Sequence, residues 1–218
     1  MKRSPFLHPA AKPLLFAICL GPLAWLVWRG LNDQLGANPA EALIRSLGDW
    51  TLRGLWLTLC ITPLRVLTNQ PALARFRRML GLFAAFYASL HLLAYGWFDM
   101  SLDWADIAHD IGKRPFILMG FAAWLMLLPL AATSFNRVIK TMGAKAWQAL
   151  HKLVYLIALV GLAHFIWMRA GKHNFAEPEV YGLILALLLG WRVVQALRKR
   201  APWRVAFPRI GTFGKGLG

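Results

Sequence analysis

The chain has 218 residues, 58% of them hydrophobic and 16% charged, and a formal net charge of +16 at pH 7. It is too apolar for an ordinary water-soluble domain, which points to a polytopic membrane protein. The basic residues lie between apolar runs, which argues against nucleic acid as a partner. The two cysteines, Cys19 and Cys60, each sit inside an apolar run without a second thiol at ligand spacing, which argues against a disulfide framework, a zinc site or an iron–sulfur cluster.

Six apolar segments follow one another, at 14–28, 50–64, 79–98, 116–132, 147–168 and 180–197. Most reach or approach the roughly 20 residues that cross a bilayer as a helix. The second is the weakest, being short, interrupted by Arg53 and closed by Pro63, and it is retained because the alternation of charge requires it. The stretch before residue 14 carries Lys2, Arg3 and Lys12 without an acid, and the connection 65–78 carries Arg65, Arg75, Arg77 and Arg78 without one. Arg137, Lys140 and Lys145 follow in the connection 133–146, and a run of arginines and lysines from Arg192 onward fills the tail. The alternate connections hold the acids: Asp33, Glu41 and Asp49; Asp99, Asp103, Asp106 and Asp110; Glu177 and Glu179. By the positive-inside rule this pattern predicts six crossings with both termini cytoplasmic. Tryptophans near segment ends, among them Trp28, Trp50, Trp97, Trp147 and Trp167, suit the headgroup level.

The basic start before 14–28 resembles a signal peptide, but no small-x-small cleavage site follows it, so an uncleaved first helix is expected. The predicted fold is an all-α integral membrane six-helix bundle. Residues 1–13 would form a cytoplasmic segment, 14–197 the transmembrane domain and 198–218 a basic cytoplasmic tail in contact with lipid.

Chemistry-bearing residues inside the apolar segments are few, and ionisable side chains there mark function by default. The third segment holds His91, and the fifth holds His151 and His164. Both segments enter from the basic side, so depth can be counted along them. His91 and His164 then fall near one level in the external half, whereas His151 lies close to the entry point. Two neutral imidazoles facing each other among small residues (Gly81, Ala84, Ala85 and Ala88 before His91, Gly161 before His164) suit the two axial positions of a haem iron. A zinc site is less suited, since no carboxylate or thiolate accompanies them.

His151 needs a partner at its own level, and stepping back from His91 by the same interval reaches Arg78, with Arg77 one residue further. Either arginine would serve topology and anionic lipid, or would hold the propionates of a cofactor near His151, or even ligate its iron weakly. On an ideal helix His151 and His164 are far from eclipsed, so either the helix distorts, for instance near Gly161, or the two face different surroundings. His8 and His173 fall in exposed basic stretches. His109 falls in the acidic connection, which either is merely soluble or docks an external partner, and Met168 reads as packing.

The stretches RRMLGLFAAFYASLHLLAYGWF, DIGKRPFILMG, LAATS and WQALHKLVYLIALVGLAHFIW, in that order, resemble the haem-binding membrane subunits of bacterial periplasmic methionine sulfoxide reductase systems, a branch of the ferric-reductase-like transmembrane family. The resemblance implies haem b, one or two per chain, and FMN. It implies location in the inner membrane and electron transfer to a periplasmic MsrP-type molybdopterin catalytic subunit that repairs oxidised methionines, so the chain itself would move electrons without reducing the sulfoxide. The family's paired histidines map onto His91, His151 and His164, with Arg77 or Arg78 at the fourth position. The larger members' flavin and nicotinamide domain has no counterpart here, so the donor would be a separate flavin reductase, reduced flavin or quinol. Other readings are a quinol-linked cytochrome b serving a different periplasmic reductase, a histidine-relay proton or ion transporter, and an anchoring subunit without a cofactor.

Overall fold

The computed structural model describes residues 5–170 and 175–200, and every regular element among them is helical. In chain order these are α1 (Ala11–Leu31), α2 (Pro39–Leu67), α3 (Ala74–Ala94), α4 (Trp104–Lys113), α5 (Pro115–Ala132), α6 (Asn136–Met142), α7 (Ala144–Leu150), α8 (Leu153–Ala170) and α9 (Ala176–Arg200). A π-helical turn, Tyr95–Asp99, extends α3. The tail beyond residue 200 and His173 lie outside the described residues.

Among the described residues five helices are long and apolar enough to cross a membrane, based on α1, α3, α5, α7 with α8, and α9. The segment missing from that set is α2, the weakest in the sequence, yet it is the longest helix at 29 residues. Its lower apolarity has a structural reason: it packs against α1, α3, α8 and α9 and so faces protein more than lipid. It buries Leu47, Leu52, Leu55, Trp56, Leu59 and Ile61. Its Arg53 donates to the Tyr181 hydroxyl of α9 at 2.8 Å and lies over the Trp50 ring, so the interrupting charge is partnered inside the bundle. Asn38 caps the helix by accepting from the Glu41 N–H, and Pro39 occupies its first turn.

Two sets of backbone groups beside prolines in the helices find side-chain partners, as a bilayer favours. Pro63 cannot donate to the Leu59 carbonyl, and Arg192 of α9 donates to that carbonyl at 2.5 Å. Beside Pro22 of α1, the Tyr87 hydroxyl accepts from the Leu23 N–H and donates to the Cys19 carbonyl, two groups that an unbroken helix pairs with each other. α2 and α3 approach closely where Gly54 meets Ala84; a Cβ at Gly54 would sit 3.2 Å from the Ala84 Cβ. Leucines and aromatics such as Leu14, Phe16, Leu93, Leu156, Leu183 and Leu187 point outward, as lipid-facing positions do.

The sequence-derived segments are lengthened at both ends, except 116–132, which gains only Pro115 at its start. The fifth is divided: α7 ends at Leu150, residues 151–152 form a turn, and α8 starts at Leu153. The distortion expected between His151 and His164 is therefore at His151 itself, while Gly161 lies within regular helix. α4 and α6, both outside the apolar runs, have no counterpart among the predicted elements.

Candidate functional site

His91, three residues before the end of α3, and His164, in the last two turns of the parallel α8, face each other with ring centroids 6.2 Å apart and planes inclined at 74°. Each imidazole is fixed in the same way by the helix antiparallel to its own. His91 Nδ1 lies 2.8 Å from the Ile44 carbonyl of α2, and His164 Nδ1 lies 2.6 Å from the Phe116 carbonyl of α5. A carbonyl only accepts, so Nδ1 is the protonated nitrogen in both rings and Nε2 keeps its lone pair.

Four residues beyond each accepting carbonyl stands a glycine under the ring. A Cβ at Gly48 would come within 3.2 Å of His91 Cε1 and Nδ1, and one at Gly120 within 2.9 Å of His164 Cε1. The site is thus built twice, as Ile44 and Gly48 for one histidine and Phe116 and Gly120 for the other. None of these four residues stands out in the sequence. Their only sequence signal is a glycine one turn after an apolar residue, which occurs too often in membrane helices to stand out.

The two rings open into a cavity of about 520 Å³, within the roughly 300–1,000 Å³ of cofactor pockets. Its body is apolar, with Leu52, Leu55, Ala88, Ala123, Ile157 and Phe165 among its walls, and its polar edge comes from the acidic connections and the helix ends beside them, as Asn38, Glu41, Arg45, Asp49, Asp99 and Arg114. Of the small residues expected to make room, Ala88 and Gly161 line this space. Ala84 is instead spent on the contact with Gly54, and Gly81 faces Thr58.

The donor set fits a haem. Imidazole nitrogens bond transition metals at about 2.0–2.1 Å, so two rings sharing one metal on opposite sides have centroids about 6 Å apart, as these have. Among the described residues no three His, Cys, Asp or Glu side chains gather as a metal-binding group. The pair therefore suits a metal that brings its own equatorial ligands in an apolar slot, which is what a porphyrin does.

His151 lies apart from this cavity, at the opposite end of the bundle. It stacks on Trp147, with ring centroids 3.9 Å apart, and its Nδ1 lies 3.0 Å from the Trp147 carbonyl. Arg77 is within electrostatic reach of His151, and Tyr155, Arg192 and Arg65 are within reach of Arg77. Arg78 instead donates to the Asn136 side chain at 2.6 Å. His8 accepts from the Ala10 N–H at the surface, His109 is exposed on α4, and Met168 lines the cavity one turn beyond His164.

The sequence pattern described as ferric reductase like transmembrane component matches residues 47–162. The chain is 70% identical over 187 residues to the protein-methionine-sulfoxide reductase heme-binding subunit MsrQ of Polaromonas naphthalenivorans, covering 86% of this chain and 85% of that one. It is 53% identical to the protein of the same description in Bordetella pertussis, over 88% of this chain and 93% of that one. To the corresponding protein of Caulobacter vibrioides it is 46% identical, over 85% of this chain and 87% of the other. No solved structure matches.

Proposed function

The chain belongs to the ferric-reductase-like transmembrane family, in its branch of MsrQ haem-binding subunits of protein-methionine-sulfoxide reductase, and from that membership we propose that His91 and His164 hold a haem b through which electrons cross the membrane. The observation that carries the reading is the pair of facing imidazoles, each tied through Nδ1 to a backbone carbonyl and each leaving Nε2 free. When bound, the haem supplies a one-electron iron couple. The chain's own residues do the rest. Ile44 and Phe116 fix ring orientation, Gly48 and Gly120 admit the rings, and the apolar walls exclude water.

The bundle crosses the inner membrane six times in this reading, with α2 as the sixth crossing and both termini cytoplasmic, supported by the alternation of basic and acidic connections. The cavity edge drawn from the acidic connections then faces the periplasm, where an MsrP-type molybdopterin subunit takes up the electrons and reduces methionine sulfoxide. The donor side is cytoplasmic, served by a flavin reductase or by quinol. A second cofactor, a further haem or FMN, belongs at His151, and Arg77 is its better companion because Arg78 is engaged by Asn136. The basic grouping of Arg65, Arg77 and Arg192 suits a phosphate or propionate there.

Haem counted per chain in the purified protein and its His91→Ala, His164→Ala and His151→Ala variants tests the assignment. Loss of the low-spin haem in each of the first two, with the external haem kept in the third, is expected. A full low-spin signal in His91→Ala or His164→Ala would defeat it.

A further inference from the structure

Asp110 is buried, with 7% of its surface exposed, and it is the one buried acid among the described residues. It lies on α4, the short helix outside the apolar segments, and its two carboxylate oxygens go to different places. Oδ2 accepts from the Tyr95 hydroxyl at 2.6 Å, and Oδ1 takes the Arg114 Nε at 2.8 Å. Tyr95 continues the helix that carries His91, and Arg114 stands at the start of α5, the helix whose Phe116 carbonyl holds His164.

Tyr95 stands one turn beyond His91, and its N–H donates to the His91 carbonyl where α3 passes into the π-helical turn. A π-helical turn is a local departure from the α-helix, often found at functional sites, and Tyr95 is its first residue, directly after the turn of α3 that carries His91. The hydroxyl bond to Asp110 holds Tyr95 in the register observed.

Arg114 is the hinge between α4 and α5. Its backbone is extended at φ −107° and ψ 102°, as a residue before proline prefers, and its N–H donates to the Asp110 carbonyl while its own carbonyl accepts from Ile117. Two residues on is Phe116, whose carbonyl fixes His164. The Asp110–Arg114 ion pair therefore ties the carboxylate to the first turn of α5, two residues before the acceptor of the second imidazole. Tyr95 and Arg114 also both line the cavity, so the carboxylate stands just behind its wall.

We propose that Asp110 is a positioning residue for both imidazoles, one carboxylate oxygen setting the angle of His91 through Tyr95 and the other that of His164 through Arg114. The proposal rests on the reading of the cavity as a haem site. Its test is the electron paramagnetic resonance line shape of the oxidised, detergent-solubilised full-length protein together with its midpoint potential from a redox titration, since the line positions of a bis-imidazole ferric haem follow the angle between the ring planes. Tyr95→Phe cuts only the His91 connection and should displace the low-spin line while leaving the potential nearly unchanged. Asp110→Asn keeps an acceptor for Tyr95 but removes the negative charge. It should keep the line nearer to wild type than Asp110→Ala does, and it should raise the potential, because removing a negative charge from behind the cavity wall disfavours the ferric state. Arg114→Leu removes the donor to Asp110 Oδ1 and so cuts only the His164 connection; it should also displace the line, so the proposal stays testable if Asp110→Ala fails to insert. A wild-type bis-imidazole signal that Tyr95→Phe, Arg114→Leu and Asp110→Ala all leave unmoved overturns the proposal alone. A wild-type protein without that signal overturns the reading of the cavity and this proposal with it.

Discussion

Two residue types decide the candidate site, the histidines that were visible in the sequence and the glycines that were not. Gly120 is the more sensitive of the pair. Its added Cβ would stand 2.9 Å from His164 Cε1, against 3.2 Å for Gly48 and His91. The His164 ring cannot swing aside without breaking its 2.6 Å bond to Phe116. Overpacking of this kind costs about 1–3 kcal/mol, so Gly120→Ala is expected to lower haem retained per chain at least several-fold, and Gly48→Ala to do so less. Gly21 and Gly190, with nothing within 4 Å of an added Cβ, serve as controls, and their alanine variants should load normally. Equal loading in Gly120→Ala and Gly21→Ala would show that the glycine does not cradle the ring. His91, His151 and His164 could be read from the sequence because an ionisable side chain in an apolar run is rare and costly. The partner carbonyls of Ile44 and Phe116 could not, because every residue has a carbonyl and only the fold selects which one meets an imidazole.

At the scale of the element, a proline that interrupts a helix can leave a carbonyl for a neighbouring helix to satisfy. Pro63 leaves the Leu59 carbonyl without its own helix's N–H, and Arg192 on α9 reaches it. Replacing Arg192 by Leu would strand that carbonyl in the bundle, at about 1–3 kcal/mol. Pro63→Ala restores the missing N–H, so the double variant Pro63→Ala with Arg192→Leu should recover much of the loss. Thermal unfolding of the four proteins in one detergent measures the coupling, and strictly additive shifts would show that the arginine serves something other than this carbonyl. Gly54→Ala should destabilise similarly, by forcing α2 from Ala84. The elements most legible in the sequence were those with the strongest apolar runs, such as α5, found within a residue of its prediction at 116–132. α2 was harder because its outer turns are polar and its middle carries Arg53, a pattern that makes sense only once Tyr181 and Trp50 are seen around the guanidinium. α4 was missed because its ten residues are too short and too polar to register as an apolar run, although Asp103 at its start is a recognisable N-cap.

At the scale of the whole molecule the two ends of the bundle differ in kind. One end carries the acidic connections and the polar edge of the cavity; the other carries the arginines around His151. With six crossings, a reporter enzyme that is active only outside the cytoplasm should be active when fused within the connection 99–113 and inactive within 133–146. The reverse pattern would invert the direction proposed for electron flow. Five apolar helices and their chain order were legible because bilayer thickness fixes their length. The pairing of His91 with His164 was approachable by counting depth. Its angle was not, since that depends on how α2 and α5 lean against α3 and α8.

The most direct measurement is the low-temperature electron paramagnetic resonance spectrum of the purified full-length protein, with haem counted per chain. Ring planes inclined at 74° predict a strongly anisotropic low-spin ferric signal, absent from His91→Ala and from His164→Ala and present in His151→Ala. A high-spin signal in the wild type, or a low-spin signal that persists unchanged without His91 or His164, would mean that the two facing imidazoles do not hold the iron.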